Sequence, residues 1–537
     1  MKRIVSLVLA LAMVLSLCIF TTASADDGFV DGKFTETRHI TVEVYNRYND
    51  GGSDPTSSVY AQYIKQGMLD KYNVDVELVS VGRWTEVDDL NNLLATGDAP
   101  DVCVTYSYPT IQTFAGMGGI IDLNPLLTEY KDLLPDLWAL LGDYNIYYDQ
   151  DPETGSVWAI EAVLAESARI NTFIRKDWLD KLNMAEPTTT EEWVAYLRAA
   201  KEAKLGGEQT VPYAMKLYEN SPLFSTSVIV DSFLDFSKIT KEDWYSLYHE
   251  QMPGAKEAYR LLNTLYNEGL ISENFAIDNG DIRDRDLNQG YAGFYIEGPT
   301  QVWPDYSDEM KKNVGEDAEW IPVNPFVNPD GYTLHENYAA NGICIFIPSW
   351  VNKETAVAAM KYMDWMAQPE NMFYLQNGIE GVHYDHLNED GLPVGRVTND
   401  NLPDDQKWLS AVDLVFLSNG SSFGNDELNN KYSALTFTGY EDVVARSYEY
   451  MAKDSYAPIG FTVAIKAEAD YDQMVLAKQA ELLTNALTCD PAEFDAVYDR
   501  CVQAILDVGG QQIVDERKAA YEAGLIRGDF PMEVLSK

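Results

Sequence analysis

The residues best suited to chemistry in this chain are aromatic and polar side chains at the ends of strand-like runs. With 34 Tyr and 11 Trp, rings are abundant. A ring laid against the C–H face of a sugar, beside planar polar groups that pair with hydroxyls, is the expected recognition chemistry. Tyr45, Tyr48, Tyr106, Tyr108 and Trp303 fall at loop tips after strands and are the candidate stacking residues. The polar candidates are Asn46, Arg47 and Asp50 in the first such loop, Glu166 and Arg169 farther on, and Glu219 and Asn220 after a later strand. If Arg47 and Arg169 met in one cleft, a sugar carboxylate held by paired N–H donors would fit.

Other chemistries find less support. The run Asp278–Asn288 is rich in oxygen ligands, but counting a calcium loop from Asp284 puts Gln289 and Tyr295 where glycine and glutamate are needed. No His-Glu-x-x-His pair or phosphate loop occurs. Paired carboxylates are unavoidable among 85 acidic residues and carry no weight as glycosidase machinery. No catalytic residue, metal ligand or cofactor is assigned.

The elements that must position these side chains alternate. Arg38–Tyr45 reads as a strand, 57–69 as a helix, Val74–Val79 as a strand and Val87–Ala95 as a helix. Gly97 stops that helix, Pro100 forbids its resumption, and Asp101–Val104 is a short buried strand. Such a βαβα rhythm predicts an α/β fold whose ligands sit beyond the carboxyl ends of strands. A length of 537 residues predicts two lobes or more.

Lys2-Arg3, an apolar run from Ile4 to Phe20, and Ala23-Ser24-Ala25 make residues 1–25 a secretory signal peptide. Leu17 before Cys18 disfavours lipid anchoring at that cysteine, because lipoprotein processing wants a small residue there. A formal charge of −46 opposes nucleic acid and anionic membranes. Cys103 and Cys344 sit in apolar strand-like runs as small hydrophobes. Cys489 and Cys501 are separated by a helix expected to start at Asp490, too far apart for a bridge.

Several segments occur in a telling order. They are Leu93–Val102; Gly118–Pro125; the turn and hairpin 149–160, with Trp158 at an aromatic position and Glu161 where proline is usual; Ile170–Leu182 followed by Pro187–Trp193; Leu287–Tyr295 with Glu297-Gly298-Pro299; Gly378–Tyr384; and the tail Glu516–Glu522. Together they resemble the family 1 extracellular solute-binding proteins, the ligand-capturing components of ABC importers. Gly378–Tyr384 is similar to the oligosaccharide-type lipoprotein branch. The resemblance implies a two-lobed, type II periplasmic-binding-protein-like fold, each lobe a mostly parallel sheet flanked by helices, with hinge crossovers and a helical C-terminus. It divides the chain into 36–163 and 340–384 for lobe 1, and 164–339 and 385–537 for lobe 2. It further implies a monomer, not an enzyme, that captures a carbohydrate outside the cell and delivers it to membrane permease subunits. A secreted glycoside hydrolase or lyase, or a glycan-binding surface protein without transport, are the alternatives.

Overall fold

A computed structural model describes residues 28–536 except 48–53, 152, 165–167, 219, 339–340, 399–400, 408–412 and 464. The signal peptide and Cys18 lie outside the described residues, as do Tyr48, Asp50, Glu166 and Glu219. The strands that matter are β1 (Arg38–Asn46), β2 (Val74–Gly82), β3 (Cys103–Thr105), β4 (Ile160–Leu164), β5 (Asn171–Arg175), β6 (Val211–Ala214), β7 (Ala292–Glu297), β8 (Trp320–Val323), β9 (Asn341–Phe346) and β10 (Ser418–Asn419). The helices are α1 (Val59–Tyr72), α2 (Glu86–Thr96), α3 (Pro135–Ile146), α4 (Thr190–Glu202), α5 (Ala255–Asn267), α6 (Lys353–Met366), α7 (Glu441–Ala452), α8 (Lys466–Thr488), α9 (Phe494–Ile505) and α10 (Gln511–Glu522).

The first sheet is organised by the junction after α2. Gly97 takes φ 79°, and the N–H groups of Gly97 and Asp98 donate to the carbonyls of Leu94 and Leu93. This is the paired closure that a left-handed glycine gives a helix end. The chain then turns back through Asp101, whose Oδ2 accepts from the Thr41 N–H at 2.7 Å and the Thr41 hydroxyl at 2.9 Å. Val102 bridges Val42 in parallel, its N–H donating to the Thr41 carbonyl and its carbonyl accepting from the Glu43 N–H, so β3 is registered on β1 by these bonds together with Asp101. The resulting order is β2-β1-β3-β9-β4-β10. β9 runs against both neighbours because it arrives from the other lobe and enters the sheet from the opposite end.

In the second lobe β8, β5, β7 and β6 form a sheet in that order, extended by a parallel bridge from Tyr213 to Ile271. Its core is built on Trp178, Trp193, Tyr213 and Phe294. The helices α8, α9 and α10 join that core. Asn263 on α5 donates to the carbonyls of Ala486, Leu487 and Cys489 at the end of α8, satisfying groups the helix cannot satisfy itself. α9 starts at Phe494 rather than Asp490, whose side chain instead closes a turn on the Ala492 N–H. The four cysteines among the described residues are unbridged.

One boundary differs from expectation. Residues 385–537 do not all belong to the second lobe. Leu414–Leu417 are buried in the first lobe's core, and β10 pairs with Val163-Leu164 of β4. The chain reaches the second lobe only afterwards, where Tyr448 and Met451 of α7 are buried with Phe173 and Trp303. Apolar burial of 414–417, within a polar and loop-rich surrounding, holds this stretch on lobe 1.

Candidate functional site between the lobes

Tyr106 follows the last residue of β3, at the carboxyl end of the strand. Glu86, on the first turn of α2, accepts from the Tyr106 N–H at 3.0 Å and the Thr105 hydroxyl at 3.1 Å. The Arg83 guanidinium, 3.3 Å from Glu86, lies 4.3 Å from the centre of the Tyr106 ring and 5.1 Å from that of Tyr45. Tyr45 stacks against Tyr106 at 6.2 Å. From β10, Asn419 Nδ2 donates to the Tyr106 hydroxyl at 3.0 Å. A cation, a second ring and an amide thus fix the side chain of a residue that remains 44% exposed. Burial is the largest influence on its hydroxyl and pushes the pKa up.

Beside Tyr106 lies a cavity of about 680 Å³ lined by both lobes. Lobe 1 contributes Tyr106, Leu164, Gly342, Asn419 and Gly420; lobe 2 and the crossovers contribute Ala168, the Gly298–Gln301 turn after β7, and Tyr338. Tyr338 is 49% exposed and stands 6.0 Å from the Arg169 guanidinium. Gly342 is required where it stands, because a Cβ there would sit 2.7 Å from Asn419 Oδ1 and 3.1 Å from Ala162 Cβ. Behind the turn, Glu297 accepts from the hydroxyls of Tyr295, at 2.9 Å, and Tyr218, and from Arg283 at 3.4 Å.

The structure brings together only part of the expected set. Tyr106 lines the inter-lobe cavity. Arg169 and Asn220 line a second hollow of about 390 Å³, closed by His249, Gln479 and Arg517 against the C-terminal helices. Arg47 and Arg169 do not meet. Arg47 is held by Asp413 through two bonds of 2.7 and 3.0 Å, and Arg169 pairs with Glu336. Asn46 ends β1, half-buried, with its carbonyl accepting from the Arg83 N–H.

Three aromatic candidates point elsewhere. Tyr45 is buried, its hydroxyl donating to the Val104 carbonyl at 3.2 Å, so it supports Tyr106 from beneath. Trp303 is buried edge-on against Phe173 at 5.4 Å. Tyr108 begins a helix and faces Asp149; burial, with the Asp149 charge next, pushes its pKa up to about 12. Sequence reasoning missed Tyr338, Asn419, Arg83 and Glu86, although the Glu297-Gly298-Pro299 motif did mark the opposing turn. In the calcium-like run, Asp278 is already committed to the N–H groups of Gly280, Ile282 and Arg283, capping the helix Asp281–Asn288.

A family model described as bacterial extracellular solute-binding protein matches residues 61–379. The chain belongs to that family. This solute-binding protein is therefore a capture protein, not an enzyme. Among curated relatives, it is 21% identical over 463 residues to the polygalacturonan/rhamnogalacturonan-binding protein YtcQ of Bacillus subtilis, covering 84% of this chain and 86% of that one. Among solved structures, it superposes on the HMO-binding, ABC-transporter-associated solute-binding protein of Bifidobacterium longum infantis with a TM-score of 0.64 at 16% identity, covering 91% and 99% of the two chains. It superposes on the Streptococcus pneumoniae substrate-binding protein FusA, solved with kestose, with a TM-score of 0.57 at 16% identity, covering 91% and 100%. These likenesses fix the two-lobed fold of the solute-binding protein.

Proposed function

We propose that the protein captures a neutral oligosaccharide between its lobes outside the cell and presents it to the permease subunits of an ABC transporter. The observation that carries this reading is the cavity of about 680 Å³ bordered by Tyr106 from one lobe and the Gly298–Gln301 turn from the other. Its size falls within the roughly 300–1,000 Å³ of pockets that enclose small organic ligands. A ligand spanning it gains contacts from both lobes only when they close, which couples binding to hinge motion.

Neutrality follows from charge. Among the described residues the cavity lining is aromatic, apolar and uncharged polar. The nearby guanidinium groups are occupied: Arg83 by Glu86, Arg47 by Asp413 and Arg169 by Glu336. Among the described residues no uncommitted cation lines the cavity to receive a uronate, which would also enter against the field of a chain carrying −46. This separates the present chain from the polymers named for the YtcQ relative. Export by residues 1–25 and monomeric action accompany the reading.

Tryptophan fluorescence of mature protein across a glycan panel tests it. One neutral oligosaccharide class should change the emission saturably. A panel of neutral glycans that leaves the emission unchanged and shows no heat of binding refutes the proposal.

A further inference from the structure

We propose that Asp149, Glu161 and Cys344 form a binding site for one divalent transition-metal ion of the zinc class inside the first lobe. Glu161 on β4 and Cys344 on β9 are direct partners in the antiparallel register, which puts their Cβ atoms on one face about 4.5–5.5 Å apart. Asp149 reaches the same point from the loop after α3, where Gln150 bridges Val157. The three ligand atoms all lie within 4.8 Å of one another.

Two further observations make this more than a chance meeting of acids. All three groups are inside the protein, with exposures of 2% for Asp149, 0% for Glu161 and 2% for Cys344. All four carboxylate oxygens lack a hydrogen-bond donor. Buried carboxylates are costly unless paired or bound to metal. Among the described residues the cation paired with this cluster is Arg527, whose Nη1 is 4.0 Å from Asp149 Oδ1 and whose Cζ lies 3.6 Å from the centre of the Tyr148 ring. It supplies a single positive charge to two carboxylates.

The donor set selects the ion. Zinc takes thiolate sulfur at about 2.3 Å and carboxylate oxygen at about 2.0–2.2 Å in tetrahedral geometry. Those bonds put donor atoms roughly 3.3–3.8 Å apart, a tightening of about 1 Å from the limit here. Calcium and magnesium take oxygen donors, and calcium takes six to eight. Soft thiolate mixed with carboxylate favours the borderline transition metals. Binding releases to solvent the Cys344 thiol proton and the proton the carboxyl pair shares; the ion's two charges then balance the thiolate and one carboxylate, and Arg527 faces the other. The site would tie the loop after α3 to the middle of the first sheet, next to the C-terminal segment that carries Arg527.

The test uses full-length mature protein stripped with a chelator and titrated with Co²⁺, then Zn²⁺. The expected result is one equivalent of cobalt with a sulfur-to-cobalt charge-transfer band, bleached by one equivalent of zinc, and a higher melting temperature with zinc. Cys344→Ser should abolish the band, and Cys489→Ser should keep it. Glu161→Gln should weaken zinc binding beyond the roughly 10–100-fold that loss of an outer-sphere partner costs. No stoichiometric metal in the wild-type protein overturns the proposal, leaving a carboxyl pair that shares one proton. A band that survives Cys344→Ser overturns it too.

Discussion

Removing the Tyr106 ring tests how the cleft holds its ligand. The residue is 44% exposed before ligand arrives. Taking roughly 200 Å² for a whole tyrosine, about 90 Å² of it awaits cover. At ~25 cal/mol per Å², full cover contributes about 2.2 kcal/mol, or about 40-fold in Kd. A ligand covering only half of that area would lose about 6-fold. Tyr106→Ala should therefore weaken binding between these bounds in a calorimetric titration. Tyr106→Phe keeps the ring and gives up only the hydroxyl's bond from Asn419 at 3.0 Å. It should cost about 0.5–1.5 kcal/mol, below the upper bound of about 2.2 kcal/mol for the ring itself. The unliganded Tyr106→Ala protein should melt close to wild type, because much of the ring is already in water. An affinity for Tyr106→Ala within twofold of wild type refutes the stacking role.

Three more outcomes follow from the same structure. His335 is buried with its ring nitrogens 3.3 Å from the Ile170 carbonyl and Asn324 Oδ1, and burial chiefly pulls its pKa down to about 4. The unfolded chain binds that proton first, so stability is lost at up to about 1.4 kcal/mol per pH unit as pH falls from about 6.5 to about 4; His335→Gln should flatten this part of the urea-denaturation profile, and an unchanged slope contradicts it. Gly293→Ala would set a Cβ 2.3 Å from Cζ3 of the buried Trp178, and should lower stability by about 1–3 kcal/mol in thermal unfolding, whereas a neutral result means the tryptophan can move aside. Saturating ligand should reduce the radius of gyration in solution scattering, since two lobes line one cavity; an unchanged radius argues against hinge closure.

Local features were the legible ones. Gly97 and Pro100 announce a helix stop through their own backbone restrictions, and the alternation of 38–96 is set by side-chain periodicity. The role of Asp101 was not, because its partner Thr41 lies in another strand. Residues 414–417 read as part of a polar region, and only their burial assigns them to lobe 1. Tyr45, Trp303 and Tyr106 are alike in sequence, being aromatics at strand ends. What separates them is which neighbour covers them, and that depends on Arg83, Asn419 and Phe173 brought in from elsewhere. Tyr338 carries no motif at all. Glu161 stood out as a departure from the usual proline, but its proximity to Asp149 and Cys344 is a matter of strand register, invisible along the chain.

The central claim is capture of an uncharged sugar between the lobes. Calorimetric titration of the mature protein with matched neutral and uronate oligosaccharides tests it most directly. The account predicts saturable one-to-one binding of a neutral oligosaccharide, with uronate counterparts at least about tenfold weaker, a difference of about 1.4 kcal/mol. Tight binding of uronates with no response to neutral sugars would contradict it.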